Sequence, residues 1–470
     1  MNKREFLAAG GAVPLILAGC GGNGSGNAPV RLVNASVGYP NLGFMDESTQ
    51  ATSADAAYGS ASPFENVQAG AVGITLTVAG QAATASQVRT INKDQRYSLV
   101  AYGFANELKS VLLTESTVTP DAGKANVNVL NTSVDIGAVD VYLSASKDLA
   151  VSTLIASSIP GVQQSAFAGI LAGSYYITVV GANSIAKGIS DVRFQTPSAI
   201  VLTALEVLTI ILTPGASGVL ANVILLTQGT AGAASPTTPY FNLTARVRAV
   251  TSVNGLHASV TGTNTTTSTT GTTNTSVTIL ADSTTSLYSN YFVVNTGTPP
   301  VVLVGGTAVP VIMDVTTTNA TTGVVTVTPD QPGALAAGGD YTLLVYLNGS
   351  TPTARLIEDN NTAAVTSSGV KFRLINLASN NQGLQLSMAV NSISVASNIG
   401  FAKASAYTEV TGVPQNTQSL LEVSNGPTVL ATKAQVYQVG NIFTAITVSV
   451  PDATTSTGVQ NFVLSSSGTS

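Results

Sequence analysis

VRLVNAS, residues Val30 to Ser36, recurs three times further along the chain: as VNVLNTS from Val127, VRAVTSV from Val247 and FRLINLA from Phe372. In every copy apolar residues alternate with polar ones, the period of a strand with one buried face. Asn34, Asn131 and Asn376 hold one place in the phrase, and Thr251 takes it in the third copy. One such heptapeptide is a strand. Four of them, opening at residues 30, 127, 247 and 372, mark the starts of four similar units.

Further phrases recur behind each opening. LGFMD at Leu42, VDVYL at Val139, LHASV at Leu256 and LQLSM at Leu384 each read as a second strand. An aromatic phrase follows: FENVQAG at Phe64, FAGILAG at Phe167, YFVVNTG at Tyr291 and YTEVTGV at Tyr407. Another strand lies behind each, ITLTV, YYITVV, PVVLV and SLLEV. A fourth phrase reads RYSLVAYG at Arg96, DYTLLVYLNG at Asp340 and NIFTAITVS at Asn441. In the second unit it is lost in the apolar run IVLTALEVLTIILT, Ile200 to Thr213, followed by PGASG and VLANVILL. That run reads as two buried strands joined by a turn. It carries Glu206 and falls short of the roughly 20 apolar residues of a membrane helix.

Six or seven short strands in roughly 110 residues are the pattern of a β-sandwich. The fold class is therefore all-β, as tandem immunoglobulin-like antiparallel β-sandwiches. The expected units are 30–118, 124–230, 240–362 and 370–467. The third carries a Thr-rich insertion at 261–278, TGTNTTTSTTGTTNTSVT, expected as an exposed loop or hairpin. Phe64, Phe167, Tyr291 and Tyr407 are expected to plug the four cores. The units resemble domain-of-unknown-function family 4397, which occurs in exported and lipid-anchored bacterial proteins. Val30–Ser36 with Phe64–Gly70 carries the resemblance, and so does Val127–Ser133 with Asp140–Leu143 and Phe167–Gly173. It implies a fold and no chemistry.

The N-terminus begins MNKREFL and continues apolar from Phe6 to Ala18, the basic and hydrophobic regions of an export signal. Leu17-Ala18-Gly19-Cys20 contains the single cysteine of the chain. This tetrapeptide resembles the lipobox of bacterial lipoproteins. The resemblance implies cleavage of a signal peptide 1–19, lipidation of the Cys20 thiol through a thioether, and a membrane attachment through acyl chains. Gly21, where Asp would imply inner-membrane retention, implies the outer membrane. Lys3-Arg4 with Phe6-Leu7 also resembles a twin-arginine signal with Lys in the first Arg place. Residues 20–29 read as a Gly/Asn/Ser tether.

Charged residues make up 9% of the chain and net charge is −5, so no basic face exists to neutralise phosphates and no nucleic-acid partner is expected. Hydrophobic residues reach 44%, which argues against disorder. The one histidine, His257, has no cysteine or second histidine for a triad or a zinc site. Asp46-Glu47 and Glu358-Asp359 are adjacent carboxylates, and neighbours on a strand point to opposite faces. Catalytic, cofactor and metal sites are accordingly expected to be none. Glu115 with Asp121, and Glu358, Asp359, Asn360 and Asn361, could offer calcium oxygens at the first and third joints. Solvated turn residues are the plainer reading. The expectation is a lipid-anchored envelope protein of structural or adhesive display, not an enzyme. The alternative is a binding module for a glycan or another envelope component, with Tyr39, Tyr288 and Tyr291 as the tyrosines to inspect.

Overall fold

The computed structural model describes residues 26–184, 191–229, 236–251, 256–268, 271–280, 288–295, 313–319, 323–327, 335–348, 351–366, 368–378, 384–414, 417–438, 440–449 and 459–465. The export signal, Cys20 and the PVVLV phrase lie outside these residues. Among the described residues the chain forms eight sheets that make four two-layered sandwiches of one topology.

In the first unit one sheet has the order Glu65–Gln68, Asn27–Asn34, Tyr97–Tyr102, Lys109–Thr114. The other has Ala56–Ala57, Asn41–Asp46 and Gly70–Val78, with Gln81–Ala82 and Gln87–Ile91 both paired to the last. The opening strand and the closing strand Tyr97–Tyr102 run parallel, with Val30 opposite Tyr97 and Asn34 opposite Ala101. The same parallel pair stands at the centre of every unit. Lys124–Asn131 lies along Val207–Pro214, Thr244–Thr251 along Asp340–Asn348, and Val370–Leu377 along Ile442–Ser449. Among the described residues all other strand pairs are antiparallel, so the expected sandwich is observed with one parallel strand pair in each unit.

The apolar run of the second unit divides differently from its sequence reading. Ile200–Leu202 joins one sheet and Val207–Pro214 the other, separated by a turn whose Thr203 N–H and hydroxyl are accepted by Glu206 at 2.9 Å. Ala221–Thr227 then returns as a hairpin. Thr237–Tyr240, which falls in the joint, adds an edge strand to the second unit. The Thr-rich insertion is a hairpin, Leu256–Ser268 with Gly271–Leu280. Among the described residues no helix is long and apolar enough to cross a membrane.

Each parallel pair is buried on both sides, which explains its near-continuous apolar sequence. Ala28, Val30, Leu32, Leu99 and Ala101 fill the core of the first sandwich. Val33 and Val100, facing the other way, pack with Leu130, Ile211, Ile224 and Leu226 of the second unit. The third and fourth units repeat this arrangement: Val250, Leu344 and Tyr346 meet Ile375, Leu377, Ile446 and Val448. Sandwiches 1 and 2 therefore pack face to face, and so do 3 and 4.

The two pairs also touch each other. The turn after Val207–Pro214 is inserted beside the third unit: Ser217 donates its backbone N–H to Gly338 O at 3.1 Å and accepts Asp340 N at 3.0 Å and Asn361 N at 3.1 Å. Ala363 N donates to Asp135 Oδ1 at 2.6 Å. The neighbouring Gly218 has φ +96°, and a Cβ there would lie 2.8 Å from Thr362 Cα, so the close approach requires glycine.

Candidate functional site

The recurring polar residues divide between two tasks. The Asn of the opening phrase is fully buried and ties the two sheets of its own unit. Asn34 Nδ2 donates to Tyr39 O and Ala56 O, both at 3.0 Å, while its Oδ1 accepts Ser36 N. Asn131 makes the same three bonds to Gly137, Ile159 and Ser133, and Asn376 to Leu384, Ile399 and Ala378. An amide has two donors and an acceptor in one plane, which is what three orphaned backbone groups at a strand end require. These side chains are structural.

The second task falls to the position three residues earlier. Arg31, Asn128, Arg248 and Arg373 occupy equivalent places on the four opening strands, and each faces the seam between paired units. Opposite them on the parallel strands stand Ser98, Thr209, Thr342 and Thr444. All eight are buried.

In the first seam Arg31 Nε donates to Ser98 Oγ at 3.0 Å, and Nη2 to Glu115 Oε1 at 2.6 Å and to Thr227 O of the second unit at 3.1 Å. Glu115 also accepts Gly229 N at 3.0 Å, so both ends of the ion pair reach across. The second unit answers with neutral groups. Gln228 Nε2 donates to Thr209 Oγ1 at 2.6 Å, and its Oε1 accepts Ser116 N. Burial outweighs Glu115 and pulls the Arg31 pKa below its ordinary value.

In the second seam the charges are divided between the units. Arg248 Nε donates to Thr342 Oγ1 at 2.9 Å and Nη2 to Thr444 Oγ1 at 3.1 Å. Arg373 reciprocates, donating to Thr444 Oγ1 at 3.2 Å and to Thr342 Oγ1 at 3.3 Å, and it pairs with Asp359. Arg248 stands 3.7 Å from the same carboxylate, which also accepts the hydroxyls of Thr342 and Tyr291. Burial alone would raise the Asp359 pKa, but the two guanidinium charges hold it below the usual carboxylate range. A second ion pair, Arg246 with Asp340, lies beside it with both bonds at 2.7 Å, and Asn361 Nδ2 donates to Asp340 Oδ2.

The four aromatics are not core plugs. The Phe64 ring lies 4.7 Å from the Arg31 guanidinium carbon, Tyr291 lies 4.6 Å from that of Arg248, and Tyr407 lies 4.6 Å from that of Arg373. A cation over a ring face in a desolvated place is worth about 2 kcal/mol. Where Asn128 replaces the arginine, Phe167 loses its cation and is 38% exposed. The backbone that delivers each ring is shared. Two residues earlier sits Ser62, Ser165, Ser289 or Ser405. Its hydroxyl accepts the N–H of Leu32, Val129, Ala249 or Leu374 and donates to the next carbonyl. This serine replaces one rung of the sheet ladder and turns the aromatic onto the outer face. Ser-x-aromatic and the second-position Arg were both visible as recurrences. A polar residue on an alternating strand reads as solvent-facing, and that concealed them.

The remaining candidates separate. Asp46 closes a turn by accepting Ser48 N at 2.8 Å and Thr49 Oγ1 at 2.9 Å, while Glu47 accepts Thr75 Oγ1 at 2.7 Å. Glu358 is exposed, whereas Asp359 is inside the seam. The possible calcium oxygens do not converge. Glu115 and Asp359 are held by arginines, Asp121 is an exposed partner of Lys124, and Asn360 closes a turn with Thr362. Among the described residues no three His, Cys, Asp or Glu side chains converge. Tyr39 OH accepts Asn106 N, Tyr291 is in the seam, and Tyr288 is exposed, so these three tyrosines form no shared aromatic platform. His257 lies on Leu256–Ser268.

Residues 28–142 match the profile of a domain of unknown function, DUF4397. The match spans the first sandwich and reaches into the first two strands of the second. Among solved structures, the chain is similar to the crystal structure of a "putative cell adhesion protein" from Bacteroides uniformis, at 12% identity. That similarity covers 51% of this chain and 100% of the other, with a TM-score of 0.23. No curated protein matches the sequence.

Proposed function

We propose that this chain is a lipid-anchored protein of the bacterial envelope whose role is structural or adhesive display without catalysis. The observation that carries the reading is the use made of its buried charge. Arg31, Glu115, Arg248, Asp359 and Arg373 are committed to holding sandwich against sandwich, and Arg246 with Asp340 forms an ion pair beside them within the third unit. They form no nucleophile or acid–base pair facing a cleft. Paired sandwiches that also dock on each other suit a body that bears contacts. The sequence Leu17-Ala18-Gly19-Cys20 supports the anchor, and the tether that follows would bring the first sandwich close to the bilayer.

The seams support specific assembly. If sandwich 4 docked on sandwich 2, Arg373 would meet Gln228 where it now meets Asp359, and its charge would be buried without a counter-ion. Such a mispairing costs several kcal/mol.

The test is membrane fractionation of the intact chain beside Cys20→Ser, with protease added to whole cells. The reading expects wild type in the outer-membrane fraction and Cys20→Ser released from it. Cleavage by external protease would favour outward display. Protection would move the role to an envelope scaffold on the periplasmic face. Retention of Cys20→Ser in the membrane would refute the anchor.

A further inference from the structure

We propose that the first sandwich is detachable: its seam with the second opens as a unit about the joint 116–123, while sandwiches 2, 3 and 4 stay docked. Among the described residues each seam buries eight apolar side chains. Val33, Ala35, Val100 and Leu113 meet Leu130, Ile211, Ile224 and Leu226 in one, and Val250 and Ile446 are among those of the other. The difference between the seams lies in their charges.

In the second seam the ion pair crosses. Asp359 belongs to sandwich 3 and its partner Arg373 to sandwich 4, so opening would part opposite charges. In the first seam Arg31 and Glu115 both belong to sandwich 1, paired at 2.6 Å, so they leave together. Among the described residues no ion pair joins sandwich 1 to sandwich 2. What crosses instead are hydrogen bonds that water can replace. They run from Arg31 to Thr227 O, from Gly229 N to Glu115, from Arg96 to Gly229 O at 2.7 Å and from Ser116 N to Gln228, and Tyr58 OH lies 2.9 Å from Thr213 Oγ1. Opening also relieves two burial costs. Asn128, which stands where Arg373 stands in sandwich 4, has a buried amide with no partner on either atom, and water would satisfy it. Burial holds the Arg31 pKa down despite Glu115, whereas at Arg373 burial is outweighed by Asp359 and the pKa is raised.

The joints differ in the same sense. Between sandwiches 3 and 4 the linking backbone is pinned from several sides. Asn361 N donates to Ser217 O, Ala363 N to Asp135 Oδ1, Val365 N and Thr366 N to Glu409, and Lys371 Nζ to Thr362 O at 2.7 Å. Between sandwiches 1 and 2, Thr117, Val118, Thr119, Asp121, Ala122 and Gly123 are exposed. The bonds of Val118 N and Lys124 N there are local, to Ser116 Oγ and Asp121 O. Sandwich 2 is held to sandwich 3 by its Ser217 turn, so it stays behind when sandwich 1 leaves. On the anchored reading proposed above, sandwich 1 is the one beside the tether, and its release lets the other three swing as one body. The opening itself is tested in solution, apart from the anchor.

The test is thiol labelling under native conditions in full-length chains carrying Cys20→Ser, so that an introduced thiol is the only one. Val33→Cys and Val250→Cys are the same substitution at equivalent places in the two seams, and Val30→Cys reports on the core of sandwich 1. Local opening exposes a buried thiol in proportion to the open population. An aromatic disulfide reagent should label Val33→Cys about tenfold faster or more than either Val250→Cys or Val30→Cys. Asn128→Arg sets a cation across from Glu115, as Arg373 lies across from Asp359, and should slow Val33→Cys toward the Val250→Cys rate. The converse change, Arg373→Asn, should speed Val250→Cys. Equal rates in the two seams would overturn the proposal. So would Val30→Cys reacting as fast as Val33→Cys, which would mean that sandwich 1 unfolds before it detaches. A Val33→Cys rate unmoved by Asn128→Arg would overturn it as well. Far-UV circular dichroism shows whether that variant folds. Where it does not, a Val250→Cys rate unmoved by Arg373→Asn decides against the proposal.

Discussion

Asp359→Asn removes one charge and almost no volume, and it should be among the most damaging substitutions in the second sandwich pair. Asp359 is 0% exposed and stands between Arg373 and Arg248, each 2% exposed. The amide cannot balance either guanidinium, and its NH₂ group faces donors where an acceptor stood. Leaving a buried charge unpaired costs about 3–5 kcal/mol. A pair of sandwiches is some 200 residues, where 1 kcal/mol moves the melting midpoint by about 2–4 °C. The transition of units 3 and 4 should therefore fall by roughly 6–20 °C. The transition of units 1 and 2, whose seam uses Arg31 and Glu115, should stay in place. Differential scanning calorimetry separates the two, since a chain of several domains does not melt as one two-state unit. The decisive comparison is a double-mutant cycle with Arg373→Met. If the carboxylate acts through the arginine, Asp359→Asn costs much less once Arg373 is methionine. A drop under about 1 kcal/mol, as for an exposed ion pair, or equal costs in both backgrounds, would refute the seam as the source of pair stability.

Acid should act on the same seam. The folded pKa of Asp359 lies below its ordinary value of about 3.9, so its contribution is present above that value and lost as pH falls through the folded one. Melting of units 3 and 4 should drop below about pH 4, and Asp359→Asn should flatten that limb of the curve. Asn34→Ala, Asn131→Ala and Asn376→Ala should each destabilise by about 1–3 kcal/mol, because each strands the same buried backbone groups. Urea midpoints of the affected pair would show one common cost if the three asparagines are equivalent. Asn128 has a buried amide with no partner on either atom, so Asn128→Leu should leave units 1 and 2 as stable or raise them by about 1 kcal/mol in the same melts. Gly218→Ala should separate the two pairs without unfolding either, at a cost on the order of 1–3 kcal/mol. Small-angle scattering would then report a larger radius with both melting transitions unchanged.

Much of the fold can be read from the chain because its information is local. Alternation in VRLVNAS and its three repeats identifies strands, and their recurrence identifies units. Turn clusters such as PGASG place the hairpins. The Asn of the phrase was visible as a recurrence, although its purpose was not, since the carbonyls it meets come from residues five to twenty-eight positions away. The arginines were misleading for a definite reason. On an isolated sandwich, Arg31, Arg248 and Arg373 would sit on the outer face of a sheet, where charge is ordinary and unremarked. A second sandwich docked on that face removes the water and makes each one a buried cation needing a carboxylate, a hydroxyl and a ring.

No short-range pattern states which face meets which. The parallel pairing of first and closing strands likewise joins residues some 67 to 94 positions apart, beyond the reach of any period. Local pattern suffices for four all-β units and for the residues that repeat in them. The pairing of units, the aromatics that cover cations outside the cores, and the role of Glu115 and Asp359 as counter-ions emerge from the packing of one sandwich on another. Alternation is set by a residue's immediate neighbours, whereas the use of a buried charge depends on what excludes its water.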